Sequence, residues 1–258
     1  MLRKGDLTQG GITGTLLHFT LPMMVGSFLQ QCYNIADTLI VGQCIGAGAL
    51  AAVGSAYTLM VFLISVLLGL AMGSGTVFSL HYGAGNHVAL RRSIFSSFVL
   101  IGIVTLILNV AVFIWLDPIL RLLQVPQDIY GMMHSYLWII FCGIVFTFIY
   151  NFYASLLRAV GDSVTPLWFL AVSVVLNIAL DLFFILQLDW GIQGAAAATV
   201  LAQGVAALGI IIYTYRRRPE LRWHHEDMCF DRTCLKEIAS FSTLTCVQQS
   251  VMNLGILM

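Results

Sequence analysis

Long apolar runs alternate with short polar punctuation along the whole chain. Seven runs can be marked, at 15–41, 51–80, 93–116, 131–157, 164–188, 192–215 and 238–258. Each has at least the roughly 20 residues that a helix needs to cross a hydrocarbon core at about 1.5 Å rise per residue. Lipid offers the backbone no hydrogen-bond partners, so spanning segments must be helices or closed barrels. These runs are continuous rather than alternating ten-residue strands, which predicts helices. The expected organisation is an N-terminal segment 1–14, six spans over 15–215, a polar linker 216–237 and a seventh span 238–258. Small residues inside the runs, such as Gly69, Gly73, Gly75 and Gly204, suit close helix packing in lipid.

Composition agrees with the pattern. Hydrophobic residues make up 59% of the 258 and charged residues only 9%, against about 25% charged in soluble domains. A soluble globular protein is excluded. Twelve basic and twelve acidic residues cancel, which gives no electrostatic case for a nucleic-acid partner. Their positions are less even. With a cytoplasmic N-terminus carrying Arg3 and Lys4, threading the seven spans leaves only Arg121 of the twelve basic residues outside. This obeys the positive-inside rule along the chain and predicts a multi-pass cell-membrane protein. The first run is too long for a signal peptide and no small-residue cleavage site follows it.

The six cysteines lie mostly in or beside spans, where a free thiol behaves as a small hydrophobe. His224, His225, Cys229 and Cys234 have the composition of a metal site, but their spacing fits no common zinc pattern, and a charged solvated linker is expected. No enzyme chemistry and no cofactor other than a coupling ion are expected.

Two acids fall within spans, Asp37 and Asp181. An ionised Asp at a helix centre costs about 2.5–3.5 kcal/mol on insertion scales, so each requires a partner, a proton, a bound cation or a water-filled cavity. Their depths match: Asp37 lies five residues before Gly42 and Asp181 eight before Asp189, at the outer ends of their spans, roughly 8–12 Å below the boundary. Thr199 enters the sixth span from the same side at comparable depth. Asn177 stands four residues before Asp181, and Tyr33 four before Asp37, each on its acid's helix face. Such an oxygen-rich set without His or Cys suits Na⁺ or a proton better than a transition metal. Asn151, Gln30, Gln31, Asn34 and Gln203 read equally as interhelical hydrogen bonds or as cavity lining. Pro22 lies inside the first span, where its ring favours a bend, static or hinged.

Six ordered stretches carry a resemblance. They are Pro22 with Y-N-I-A-D at 33–37 running into Val41 and Gly42; A-L-A-A-V-G at 49–54; Y-G-A-G-N at 82–86; L-R-A-V-G-D at 157–162 through Pro166; N-I-A-L-D at 177–181; and G-I-Q-G-A-A-A-A-T at 191–199. In this the chain resembles the multidrug and toxic compound extrusion (MATE) family of cation-coupled exporters. The resemblance implies an all-α membrane fold of twelve helices in two six-helix lobes around a central cavity. It implies a cation or proton site at Asp37, Asn177, Asp181 and Thr199, with Tyr33 and Asn151 as further members of the site or cavity, and a hinge at Pro22. It also implies antiport of organic, often cationic, small molecules against Na⁺ or H⁺. Residues 241–244 echo 19–22 at an offset of 222, as the opening of a second repeat would. A C-terminal lobe is therefore expected in the full-length protein, the present chain supplying the first lobe plus one helix.

Other classes fit less well. A seven-helix receptor would put eleven basic residues on the wrong side. An intramembrane aspartyl protease would need Tyr-Asp and Gly-x-Gly-Asp signatures that are absent, since Gly161-Asp162 falls in an inner loop. A lipid-linked oligosaccharide flippase of the related fold would line its cavity with cations, whereas both intramembrane charges here are acidic.

Overall fold

A computed structural model describes residues 12–222 and 232–257. Arg3, Lys4 and the 224–229 stretch lie outside the described residues. Among those described, every regular element is helical: α1 (Ile12–Cys44), α2 (Ala47–Gly83), α3 (His87–Leu122), α4 (Gln127–Cys142), α5 (Ile144–Ala159), α6 (Val164–Leu182), α7 (Gly191–Arg217) and α8 (Arg232–Leu257). A single π-helical turn, Phe183–Gln187, extends α6, and a 3₁₀ turn, Pro219–Leu221, follows α7.

The seven expected spans map onto these helices with one difference. By length and composition α2, α3, α7 and α6 with its π turn can each cross a membrane alone. The run at 131–157 is not one straight helix. It is the pair α4 and α5, bent by 47° at Gly143, which together are long and apolar enough for one further span. α7 packs against the break: a Cβ at Gly143 would collide with the Val200 side chain, so only glycine fits there. α1 and α8 are long enough, at 33 and 26 residues, but carry more polar positions. α1 runs through Pro22 as one helix.

Connections are short. Between α2 and α3 the Asn86 side chain accepts the Ala89 N–H at 3.1 Å, capping α3. Between α5 and α6, Gly161 takes a φ of +86°, a conformation that glycine adopts without strain. The following Asp162 carboxylate accepts the Thr165 N–H at 3.0 Å and its hydroxyl at 2.9 Å. It also meets Arg218 Nη2 at 3.4 Å, tying the start of α6 to the end of α7. Burial opposes the Arg218 charge, but Asp162 and Glu220 beside it hold its pKa above the ordinary value. The Asp162 and Arg218 side chains are only 14% and 17% exposed. Asp162→Ala removes the bonds to Thr165 and one of the two carboxylates at Arg218, leaving Glu220 at 3.5 Å, and should cost about 1–2 kcal/mol, measurable as loss of unfolding free energy in mixed micelles; Ser163→Ala, which makes no side-chain cap bond, should cost less.

The core is aliphatic and aromatic. Phe78, Phe98, Phe148, Phe152 and Tyr153 meet through edge and tilted contacts with centroids 5.3–6.5 Å apart, knitting α2, α3 and α5. Outward-facing apolar side chains abound, including Leu21, Phe28, Leu39, Ile107, Val175 and Leu208. Trp115, Trp138, Trp168 and Trp190 are all more than half exposed. Lipid solvates such a surface, with Trp favoured near its interfaces. α8 packs along α2 and touches α3. At that contact Gly69 faces Cys246 and Gly73 faces Ser242.

Candidate functional site

α1, α6 and α7 pack together, and their contact holds the intramembrane acids. Asp37, on α1, is 8% exposed; Asp181 and Asn177, on α6, are 0% and 1% exposed. The four-residue spacing on α6 stacks Asn177 one turn below Asp181 on the face turned to α7. Oriented so that both ends of its amide are paired, Asn177 donates from Nδ2 to Asp181 Oδ2 at 2.9 Å. Its carbonyl accepts from the Thr199 hydroxyl at 3.3 Å and from the Thr199 N–H at 3.2 Å. Tyr33 Oη lies 3.3 Å from Thr199 Oγ1. A donor chain thus runs Tyr33 to Thr199 to Asn177, whose amide reaches Asp181.

Asp37 and Asp181 lie within electrostatic range of each other. Each keeps one oxygen, Oδ1, buried and without a partner among the described residues. Two carboxylates brought together out of water repel unless a proton or cation sits between them. The arrangement can therefore take up a hard cation or a proton in an all-oxygen setting. Among the described residues no cluster of three His, Cys, Asp or Glu could hold a metal.

Tyr33, Asp37, Asn177, Asp181 and Thr199 are thus brought together. Asn151 is not joined to them by a hydrogen bond: its amide donates to the Thr147 carbonyl of its own helix at 2.8 Å. One residue is missing from the sequence-based set. Tyr136, on α4 and 4% exposed, lies within electrostatic range of Asp37, Tyr33 and Asp181. The depth argument could have found it, because it lies five residues inside the outer end of its span, a depth close to those of Asp37 and Thr199. The bend at Gly143 lets α4 lean on α7 and α2, which also places Val200, the neighbour of Thr199, against the break.

The MatE family profile matches residues 22–183. The probable multidrug resistance protein YpnP of Bacillus subtilis is 37% identical over 84% of this chain and 49% of its own length. The multidrug export protein MepA of Staphylococcus saprophyticus is 31% identical over 78% of this chain and 45% of its own. The chain spans about half the length of these relatives. Among solved structures, the outward-facing conformation of a multidrug resistance MATE family transporter of the MOP superfamily superposes with a TM-score of 0.91 at 24% identity, covering all of this chain and 57% of the other. The match spans the helices that carry both acids, and the chain belongs to the MatE family of multi-pass membrane transporters.

Proposed function

We propose that the chain is the first lobe, plus one helix, of a cation-coupled exporter of organic, often cationic, small molecules. The carrying observation is the facing pair Asp37 and Asp181, each with a buried, unpartnered oxygen. Family membership and relatives named for multidrug resistance and export support the substrate class. In this reading Asp37, Asp181, Asn177 and Thr199 hold Na⁺ or H⁺, with Tyr33 ordering Thr199 and Tyr136 closing the pocket from α4. Asn151 lines the cavity. A second lobe completes that cavity, and the pair alternates between ion-occupied and empty states while the lobes open to one side and then the other. Pro22 lies 15 residues before Asp37 on the same helix; it removes one backbone hydrogen bond and gives α1 a place to bend as the carboxylates change state. The N-terminus faces the cytoplasm of the cell membrane.

Ion binding can be tested on this chain without a second lobe. The purified chain in phosphatidylcholine nanodiscs is expected to bind one ²²Na⁺ per molecule or to show a carboxyl band that titrates in infrared difference spectra. Asp37→Asn with Asp181→Asn should remove either signal. A chain showing neither, or a double variant that keeps both, refutes the ion site.

A further inference from the structure

The basic end of the lobe, remote from the acid pair, carries a second concavity. A groove of about 510 Å³ is lined by Tyr153 of α5 and by Ile211, Ile212, Tyr215 and Arg216 of α7. Beside it lies a niche of about 10 Å³, with room for about one water, lined by Ile94, Tyr153, Thr214, Tyr215, Leu221 and Arg222. Tyr153 and Tyr215 line both. Each phenol carries an O–H that can donate to an outside acceptor. Arg222 Nε donates to the Tyr215 carbonyl at 2.6 Å, fixing the turn beyond α7 over the niche.

Charge and depth specify the occupant. Arg216 is exposed at the rim, and among the described residues no carboxylate forms an ion pair with it; the nearby acids Asp162 and Glu220 are taken by Arg218. Ile211 and Ile212 lie about one helical turn further into the membrane, and Ile212 is 51% exposed. A cationic, phenolic rim above an open aliphatic floor fits a molecule with an anionic head and a hydrocarbon tail. The groove draws its lining from α5 and α7 only, whereas α8 continues the chain along α2 and α3.

We propose that this groove is a binding site for one anionic phospholipid, its phosphate held by Arg216 and the Tyr153–Tyr215 pair and an acyl chain laid along Ile211 and Ile212. The site lies where basic pockets between membrane helices bind anionic headgroups. It is independent of ion coupling, because its test reads lipid retention and not transport.

The test is native mass spectrometry of the purified chain equilibrated with mixed palmitoyl-oleoyl phosphatidylglycerol and phosphatidylcholine. Preferential retention of one phosphatidylglycerol is expected, with Arg216→Gln weakening it about fivefold and Arg216→Lys restoring most of it. Arg121→Gln, at the other end of the lobe, should leave it unchanged. Equal retention of both lipids, or an Arg216→Gln chain that unfolds at the wild-type temperature and keeps the preference, overturns the site. Displacement of the lipid by millimolar inorganic phosphate overturns the lipid assignment in favour of a soluble anion.

Discussion

Asp37→Asn or Asp181→Asn, introduced singly into a full-length transporter carrying this lobe, should abolish energised efflux of a cationic dye such as ethidium. The side chains keep their shape, so the loss reads charge and not packing. Removing one member of a desolvated charged set typically costs about 2–5 kcal/mol, which is a fall in ion affinity of at least about 30-fold. Each amide also removes a buried like-charge contact, so the folded protein should be as stable as wild type or more so. Loss of efflux with retained membrane abundance and unchanged or raised melting temperature is the expected pair of results. Tyr33→Phe gives the internal scale. It removes only one neutral hydrogen bond, Tyr33 to Thr199 at 3.3 Å, worth about 1 kcal/mol, and should weaken ion binding about fivefold while efflux persists at raised ion concentration. Efflux surviving both Asp→Asn changes would remove the carboxylates from the coupling mechanism.

The acid pair was legible in the sequence because lipid makes a stranded carboxylate conspicuous. Nothing else in a span costs as much to bury, and two such residues at one depth have few ways to be satisfied except by each other and a shared ion. Asn177 and Tyr33 followed from the four-residue helical repeat, and Thr199 from depth alone. Periodicity on one helix could not supply what depends on a neighbour. The fourth span breaks at Gly143, where Val200 of α7 fills the space a side chain would need, and nothing in the apolar run 131–157 signals that encounter. The π turn at Phe183–Gln187, directly beyond Asp181, is equally silent in a run of ordinary apolar residues. An aromatic such as Tyr136 in an apolar helix reads as core; its position within range of Tyr33, Asp37 and Asp181 appears only once α4 is packed on α2 and α7. Asn151 shows the converse: a buried amide that can be satisfied by the carbonyl four residues earlier on its own helix, Thr147, need not point to a neighbour at all.

The second large effect is expected at the contact between α2 and α8. Lipid supplies no hydrophobic drive for helices to associate, so close approach through small residues must provide dispersion contacts and short polar links. Here Gly69 and Gly73, four residues apart on α2, oppose Cys246 and Ser242, four apart on α8, in antiparallel register. The Ser242 hydroxyl donates to the Leu70 carbonyl and the Cys246 thiol to the Val66 carbonyl, each at 3.3 Å. A Cβ at Gly73 would strike the backbone of Phe241 and Ser242, and one at Gly69 would lie 2.5 Å from the Cys246 Cα. Backbone cannot rotate away as a side chain can, so Gly73→Leu must push α8 off α2. In a variant retaining Cys246 as its sole cysteine, that displacement should raise the maleimide labelling rate at Cys246 by at least about tenfold, as a local opening that costs about 1.4 kcal/mol in wild type becomes the resting state. Gly102→Ala is the matched control: its Cβ would meet the Phe148 ring at 3.8 Å, an ordinary contact, and labelling should not change. Gly73→Leu with wild-type labelling would mean that α8 rests on α2 through other contacts, and that the glycine pair does not set the distance at which the seventh helix docks on the lobe.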